Sequence, residues 1–339
     1  MGPYRYAVYG LTLECNMALH SSGLRAVRTG SPDVVIEWAG VHGNGDPTAP
    51  ASRTIVEETG GWLAVSAAPG YEEGWTRLRF GYGRHHVQFD VEPAGTRVVV
   101  TWTQEVPPVS VSTLLLSTVM GYLLLRLGRL ALHAGAIEWG GAAFVVAGAP
   151  GAGKSTTVTA LIQRGCAAIS DDVAVLARQA RGWAVFPGMP GIRLTPQARE
   201  ALGIPAAAAA PLWPRSSQLP GVDYERLEDK GVVFFADGAD TSAGAASLPL
   251  AGIFLLPPRA EQLEEPCITA LSATAAVPHV VAQLLTPAWL APTVDAERFS
   301  TVADLVGVTP VRTVERPDSL AALPRLCDAM LDEMGRLRG

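Results

Sequence analysis

Residues 131–157, "ALHAGAIEWGGAAFVVAGAPGAGKSTT", decide the fold. Gly148, Gly153, Lys154 and Ser155 fit the spacing G-x-x-x-x-G-K-[ST] of a phosphate-binding loop. The apolar run "AAFVVAGA" leads straight into it and reads as a buried strand. "KSTTVTALIQR" follows as an amphipathic helix with Val158, Leu161 and Ile162 on one face, and Gly165 stops it as a C-cap would. In such a loop successive backbone N–H groups curl around a β-phosphate, and the glycines allow close approach that a Cβ would block. The helix points its positive end at the phosphates. Lys154 is expected to reach the β- and γ-phosphates and Ser155 to place its hydroxyl on Mg²⁺.

The upstream half sets the sheet. "ALHAGAIEW", "GG" and "AAFVVAGA" read as strand, tight turn and strand. A hairpin feeding the loop predicts an α/β domain with a mixed sheet. A doubly wound parallel sheet would need a crossover there, so a Ras-like switch or a motor ATPase is disfavoured.

Downstream, "CAAIS" is a short buried strand that ends in Asp171 and Asp172. Two adjacent carboxylates at a buried strand end are costly unless positive charge faces them. Beside a phosphate loop, one carboxylate suits the metal and the other suits the proton of an attacking hydroxyl. An isolated Asp pair also serves as an Asx turn or helix cap. His133 is expected on the strand just before the loop strand, where it either reaches the γ-phosphate or is a satisfied core residue.

The rest of the chain supplies context. Of 339 residues, 48% are hydrophobic and 17% charged, enough for a large core and about two domains. The net charge of -6 disfavours a general nucleic-acid binder. Cys15, Cys166, Cys267 and Cys327 have no zinc-ligand spacing and read as thiols of a reducing cytoplasm. The N-terminus carries no signal-peptide pattern. "VSVSTLLLSTVMGYLLL", residues 109–125, is apolar over the lower limit of a membrane span, but its Ser, Thr and Gly content reads as a buried core helix.

Residues 1 to about 105 read as mostly β: "YRYAVYGLTLEC", "PDVVIEW", "GWLAVSAA", "TRLRFGYG", "HHVQFDVEP" and "TRVVVTW", the last two joined as a hairpin by "EPAG". His85 and His86 are adjacent in a strand and point to opposite faces, which disfavours a joint metal site and suggests a surface-plus-edge position. "VAVLAR" and "GWAVFPG" read as a strand pair and "LPLAGIFLLPP" as a core strand. Residues 203–221, rich in Pro and Ala, read as a long loop or lid, and their Ala run equally as one turn of helix. From about residue 272 the chain reads as helical.

The stretch "LHAGAIEWGGAAFVVAGAPGAGKSTTVTALIQRGCAAISDDVAVL" resembles the core of the HPr kinase/phosphorylase family and its bacterial relatives. "YAVYGLTLEC", "LLLRLGRLALHAGA" and "FPGMPGIRLTP" extend the resemblance to HPr-kinase-related proteins of ribosomal peptide pathways, including lasso-peptide tailoring kinases. The resemblance implies an HPr-kinase/PEP-carboxykinase-like P-loop domain over residues 109–339, with a helical C-terminal part, behind an N-terminal β-rich domain over residues 1–108. It implies ATP, or another NTP, held by Gly148, Gly151, Ala152, Gly153, Lys154, Ser155 and Thr156. Mg²⁺ would lie on Ser155 and Asp171, and Asp172 would be the general base with Asp171 assisting. His133 would contact the phosphate or help neutralise charge. Arg193 and Lys230 are weaker candidates for transition-state charge stabilisation. HPr kinases proper carry an acidic or Ser residue inside the loop and an acidic residue after its Ser; "GAPGAGKST" has neither. That departure points away from phosphorylase activity and from HPr as acceptor. The expectation is a cytoplasmic, Mg²⁺-dependent kinase acting on a Ser/Thr-type hydroxyl of a peptide or small protein, with no nucleic-acid or membrane partner. A homo-oligomer is compatible with the resemblance. A small-molecule hydroxyl kinase and a non-catalytic nucleotide-sensing partner of a peptide-maturation complex are the alternatives.

Overall fold

The computed structural model describes residues 3–20, 24–28, 30–42, 54–56, 61–82, 85–189, 191–211, 231–234, 247–286 and 295–338. Lys230 and residues 212–221 of the expected lid lie outside them.

Among the described residues nine strands form a first sheet: β1 (Tyr4–Val8), β2 (Leu11–Cys15), β3 (Arg25–Ala26), β4 (Val34–His42), β5 (Thr54–Val56), β6 (Gly61–Ala67), β7 (Thr76–Tyr82), β8 (His85–Val91) and β9 (Arg97–Thr103), in the order β3-β1-β2-β4-β9-β8-β7-β6-β5. Alternation puts Leu13, Ile36, Val87, Phe89, Val98 and Val100 on one buried face. "YRYAVYGLTLEC", expected as one run, is a hairpin turned at Tyr9 and Gly10, whose φ values of 58° and 73° suit the twist of a tight hairpin. His85 and His86 are corrected as well. β8 lies between β7 and β9, so neither histidine is at an edge and both are buried.

The apolar stretch is helical: α1 (Pro108–Leu114), a π-helical segment (Leu115–Val119) and α2 (Met120–Arg126). It is the one described helix long and apolar enough to cross a membrane, and most of it is buried within the protein. Leu115, Leu116, Met120, Leu123 and Leu124 are wholly buried against the first sheet. Each contributes about 2 kcal/mol by that burial.

A second sheet, also of nine described strands, carries the glycine-rich loop 148–153. Its members are β10 (Leu130–Leu132), β11 (Ala134–Trp139), β12 (Ala142–Gly148), β13 (Ala167–Ser170), β14 (Ala174–Gln179), β15 (Gly182–Phe186), β19 (Leu248–Leu256), β20 (Cys267–Leu271) and β21 (Val311–Glu315). As the hairpin reading requires, β11 and β12 are antiparallel and turn at Gly140 and Gly141, with φ of 60° and 82°. β12 is parallel to β19, and β19 to β21. The sheet is therefore mixed, and the fold is mixed α/β. Helix α3 (Lys154–Gln163) buries Val158 and Leu161 wholly. A small third sheet, in the order β16-β18-β17, contains β16 (Gly191–Leu194), β17 (Ala209–Pro211) and β18 (Gly231–Phe234), with α4 (Pro196–Ala201) following β16.

The C-terminal third is not helical throughout. Besides α5 (Ala273–Val281), α6 (Ala296–Val308) and α7 (Leu323–Arg338), it contains β21, a strand between α6 and α7 in sequence and between β19 and β20 in the sheet, where the sequence reads as helical. Its Arg312 and Glu315 mask the period-2 signal. Arg312 is held by Glu333 of α7 at 2.6 Å.

Candidate active site

β13 is antiparallel to β11, which is antiparallel to β12, so β13 and the loop strand end at the same edge of the sheet. That register carries Asp171 and Asp172 from the end of β13 to the glycine-rich loop and the start of α3. The loop itself is built by close backbone approach. A Cβ on Gly148 would lie 2.6 Å from the Leu256 carbonyl oxygen of the neighbouring strand. Gly151 and Gly153 take φ of 79° and 87°, in the left-handed region that favours glycine. Lys154 is buried, and its Nζ donates to the Gly148 carbonyl at 2.8 Å and the Ala149 carbonyl at 3.3 Å. The ammonium thus lies across the mouth of the loop.

Ser155, in the first turn of α3, donates from Oγ to Asp171 Oδ1 at 3.1 Å. Asp171 Oδ2 accepts the backbone N–H of Arg193 at 3.0 Å. Asp171 is 1% exposed, and burial raises its pKa above the usual carboxylate range in spite of those donors. Ser155 and Asp171 together offer hydroxyl and carboxylate oxygens, the hard donors that Mg²⁺ takes alongside phosphate and water oxygens. The residues therefore fit the metal and the nucleotide.

Asp172 differs from its neighbour. Its side chain is 16% exposed and its Oδ2 pairs with the guanidinium of Arg193. Its φ of 63° lies in the left-handed region, a conformation Asp tolerates better than most residues at a cost of about 1 kcal/mol. The turn is held from behind by His133, whose Nδ1 lies 3.3 Å from the Asp172 carbonyl oxygen. His133 sits at the bend between β10 and β11, and its backbone N–H donates to Gln283 at 2.7 Å. Burial, then Lys154 and Arg193, push its pKa down to about 4. At neutral pH the ring is uncharged, so it donates from Nδ1 to the carbonyl and carries no charge to set against phosphate.

The structure thus brings together Lys154, Ser155, Asp171, Asp172, His133 and Arg193. Three further residues were not found from the sequence. Arg316 is buried, and its guanidinium donates to the Ala152 carbonyl of the loop and, at 2.9 Å, to Pro257 beyond β19. Burial lowers its pKa to about 10. Arg259 lies close to the loop, since a Cβ on Gly153 would come within 3.3 Å of its guanidinium. Tyr9, from the first sheet, donates from its hydroxyl to the Leu116 carbonyl at 2.8 Å and accepts the Met189 N–H at 3.3 Å, just ahead of β16 and Arg193. Nothing local in "PPRAE", "VERPD" or "VYGLT" signals these roles, because each arises from strand ends meeting in three dimensions.

No family model and no curated protein matches the chain. Among solved structures, the Hpr(Ser) kinase/phosphatase from Coxiella burnetii aligns at 13% identity over 62% of this chain and 99% of its own, with a TM-score of 0.29. A likeness at that level carries no argument about this chain.

Proposed function

We propose that this protein is a Mg²⁺-dependent kinase that transfers the γ-phosphate of ATP to a hydroxyl of a peptide or small protein, in ribosomal peptide tailoring in the cytoplasm. The observation that supports it best is the division of labour between the two aspartates. Asp171 is buried on Ser155, and Asp172 is turned out toward Arg193 by a left-handed backbone. In this scheme Gly148, Gly151, Ala152, Gly153, Lys154, Ser155 and Thr156 would hold the triphosphate, and Ser155 and Asp171 would hold Mg²⁺, which would supply positive charge against the phosphates. Asp172 accepts the proton of the acceptor hydroxyl as its oxygen bonds to the γ-phosphorus and the bond to the β,γ-bridging oxygen breaks, releasing ADP. Arg193 is shared between Asp172 and the transferring phosphoryl group. Neutral His133 holds the aspartate turn through its hydrogen bond. Residues 109–339 carry this chemistry and residues 1–108 form a β-rich support.

The test is transfer of label from γ-labelled ATP, with Mg²⁺, to a panel of Ser- and Thr-containing peptides, free amino acids and HPr. A labelled peptide is the expected result. Label on a free amino acid alone would move the acceptor to a small molecule. ATP bound without transfer to any acceptor would favour a nucleotide-sensing partner.

A further inference from the structure

β12, β19 and β21 run parallel, so the segments that follow them emerge at one edge of the sheet. Along that edge β13, with Asp171 and Asp172, lies on one side of the loop strand, and β19 and β21 lie on the other. A nucleotide whose γ-phosphate meets the aspartates must extend its nucleoside the opposite way, across the ends of β19 and β21. An open cleft of about 230 Å³ lies above Thr156: Arg259, Asp318 and Leu320, which follow β19 and β21, line it on that side, and Thr195 and Gln197, just beyond Arg193, line it on the side toward the aspartates. It continues along Gly153 and Thr157 to apolar Leu323 and Leu326. Ser155 and Thr156 are consecutive on a helix, about 100° apart, so one faces the metal site while the other faces the cleft.

The cleft has the groups a nucleoside needs. Arg259 is a cation beside Gly153 and lies in the cleft wall. It pairs with Asp318 at 3.1 Å, with the two side chains 37% and 49% exposed. An ion pair so exposed is weak and easily exchanged for other partners. Leu320 offers an apolar surface for a base.

We propose that this cleft is the nucleoside site: Arg259 meets the phosphate chain, Asp318 receives the ribose hydroxyls and Leu320 packs on the base. The assignment rests on the phosphotransfer proposal and names which strand ends hold each half of the nucleotide.

The test is calorimetric titration of the full chain, in Mg²⁺, with ATP, 2′,3′-dideoxy-ATP and inorganic tripolyphosphate. The variants are Leu320→Trp, which fills the cleft, and Asp318→Ala, at an exposed position that does not endanger the fold; thermal melts confirm that both are folded. Leu320→Trp should weaken ATP about tenfold or more and leave tripolyphosphate nearly unchanged. Asp318→Ala should weaken ATP but not the dideoxy analogue. ATP affinity unchanged in both variants, or tripolyphosphate lost in parallel with ATP, would overturn the cleft assignment and leave the loop's role standing. A wild-type chain that binds neither ATP nor tripolyphosphate would overturn both.

Discussion

Asp172 carries a backbone angle that most residues avoid, and Asn is among the few that tolerate it equally well. Asp172→Asn therefore removes the charge and keeps the turn, which makes it a clean probe of a base. It should lower phosphotransfer by about 10²- to 10⁴-fold, with ATP affinity nearly unchanged. His133 makes a separate prediction at the same scale. Folded, it takes up a proton only near pH 4, against an ordinary value of 6.5. Between those values the unfolded chain binds more protons, so stability falls as pH drops through the window. Asp171, whose pKa is raised, acts with the opposite sign: its contribution is present at low pH and is lost as pH rises through its folded value. His133→Gln isolates the histidine. Between pH 7 and pH 4 its unfolding free energy from urea titration should fall less than that of the wild type, by on the order of 2 kcal/mol after allowance for partial exposure. Parallel curves would mean that His133 is not a buried neutral ring.

At the scale of elements, the glycine-rich loop before α3 is fixed by the strands around it. Gly148→Ala would push a methyl against the Leu256 carbonyl, so it should cost about 1–3 kcal/mol in urea unfolding and weaken nucleotide binding. Wild-type values for both would show that the strands can part. The loop, its helix and the β11–β12 hairpin were legible because their signals are local: glycine spacing, a 3.6-residue period and a Gly-Gly turn. The aspartate pair was legible as a strand end. The Arg193 N–H on Asp171 was not, since it depends on how a third sheet packs against β13. β21 was missed because five residues with charges at Arg312 and Glu315 read as polar. Arg312 is answered from α7, where Glu333 accepts from it at 2.6 Å and from Arg336 at 2.5 Å, while Glu315 is exposed.

At the scale of the whole molecule, the two large sheets share a core. Ala131, Val173, Val175 and Met189 of the second half sit in one apolar cluster with Leu13, Val34 and Phe89 of the first sheet and with the helix over residues 108–126. The Tyr9 hydroxyl ties that helix to the segment leading to Arg193. The full chain should therefore unfold in one calorimetric transition, and residues 106–339 alone should lack a cooperative one. Two separate transitions would mean that the sheets are independent. Tyr9→Phe leaves the Met189 N–H without its acceptor and should cost about 1–3 kcal/mol, lowering phosphotransfer more than ATP binding. An equal loss of both would make it purely structural. The most direct test of the central claim is transfer from γ-labelled ATP by wild type and Asp172→Asn side by side, with Mg²⁺ and the peptide panel. Label on a peptide hydroxyl in the wild type, absent in a variant that still binds ATP, is the predicted result. Undiminished transfer by Asp172→Asn would contradict it.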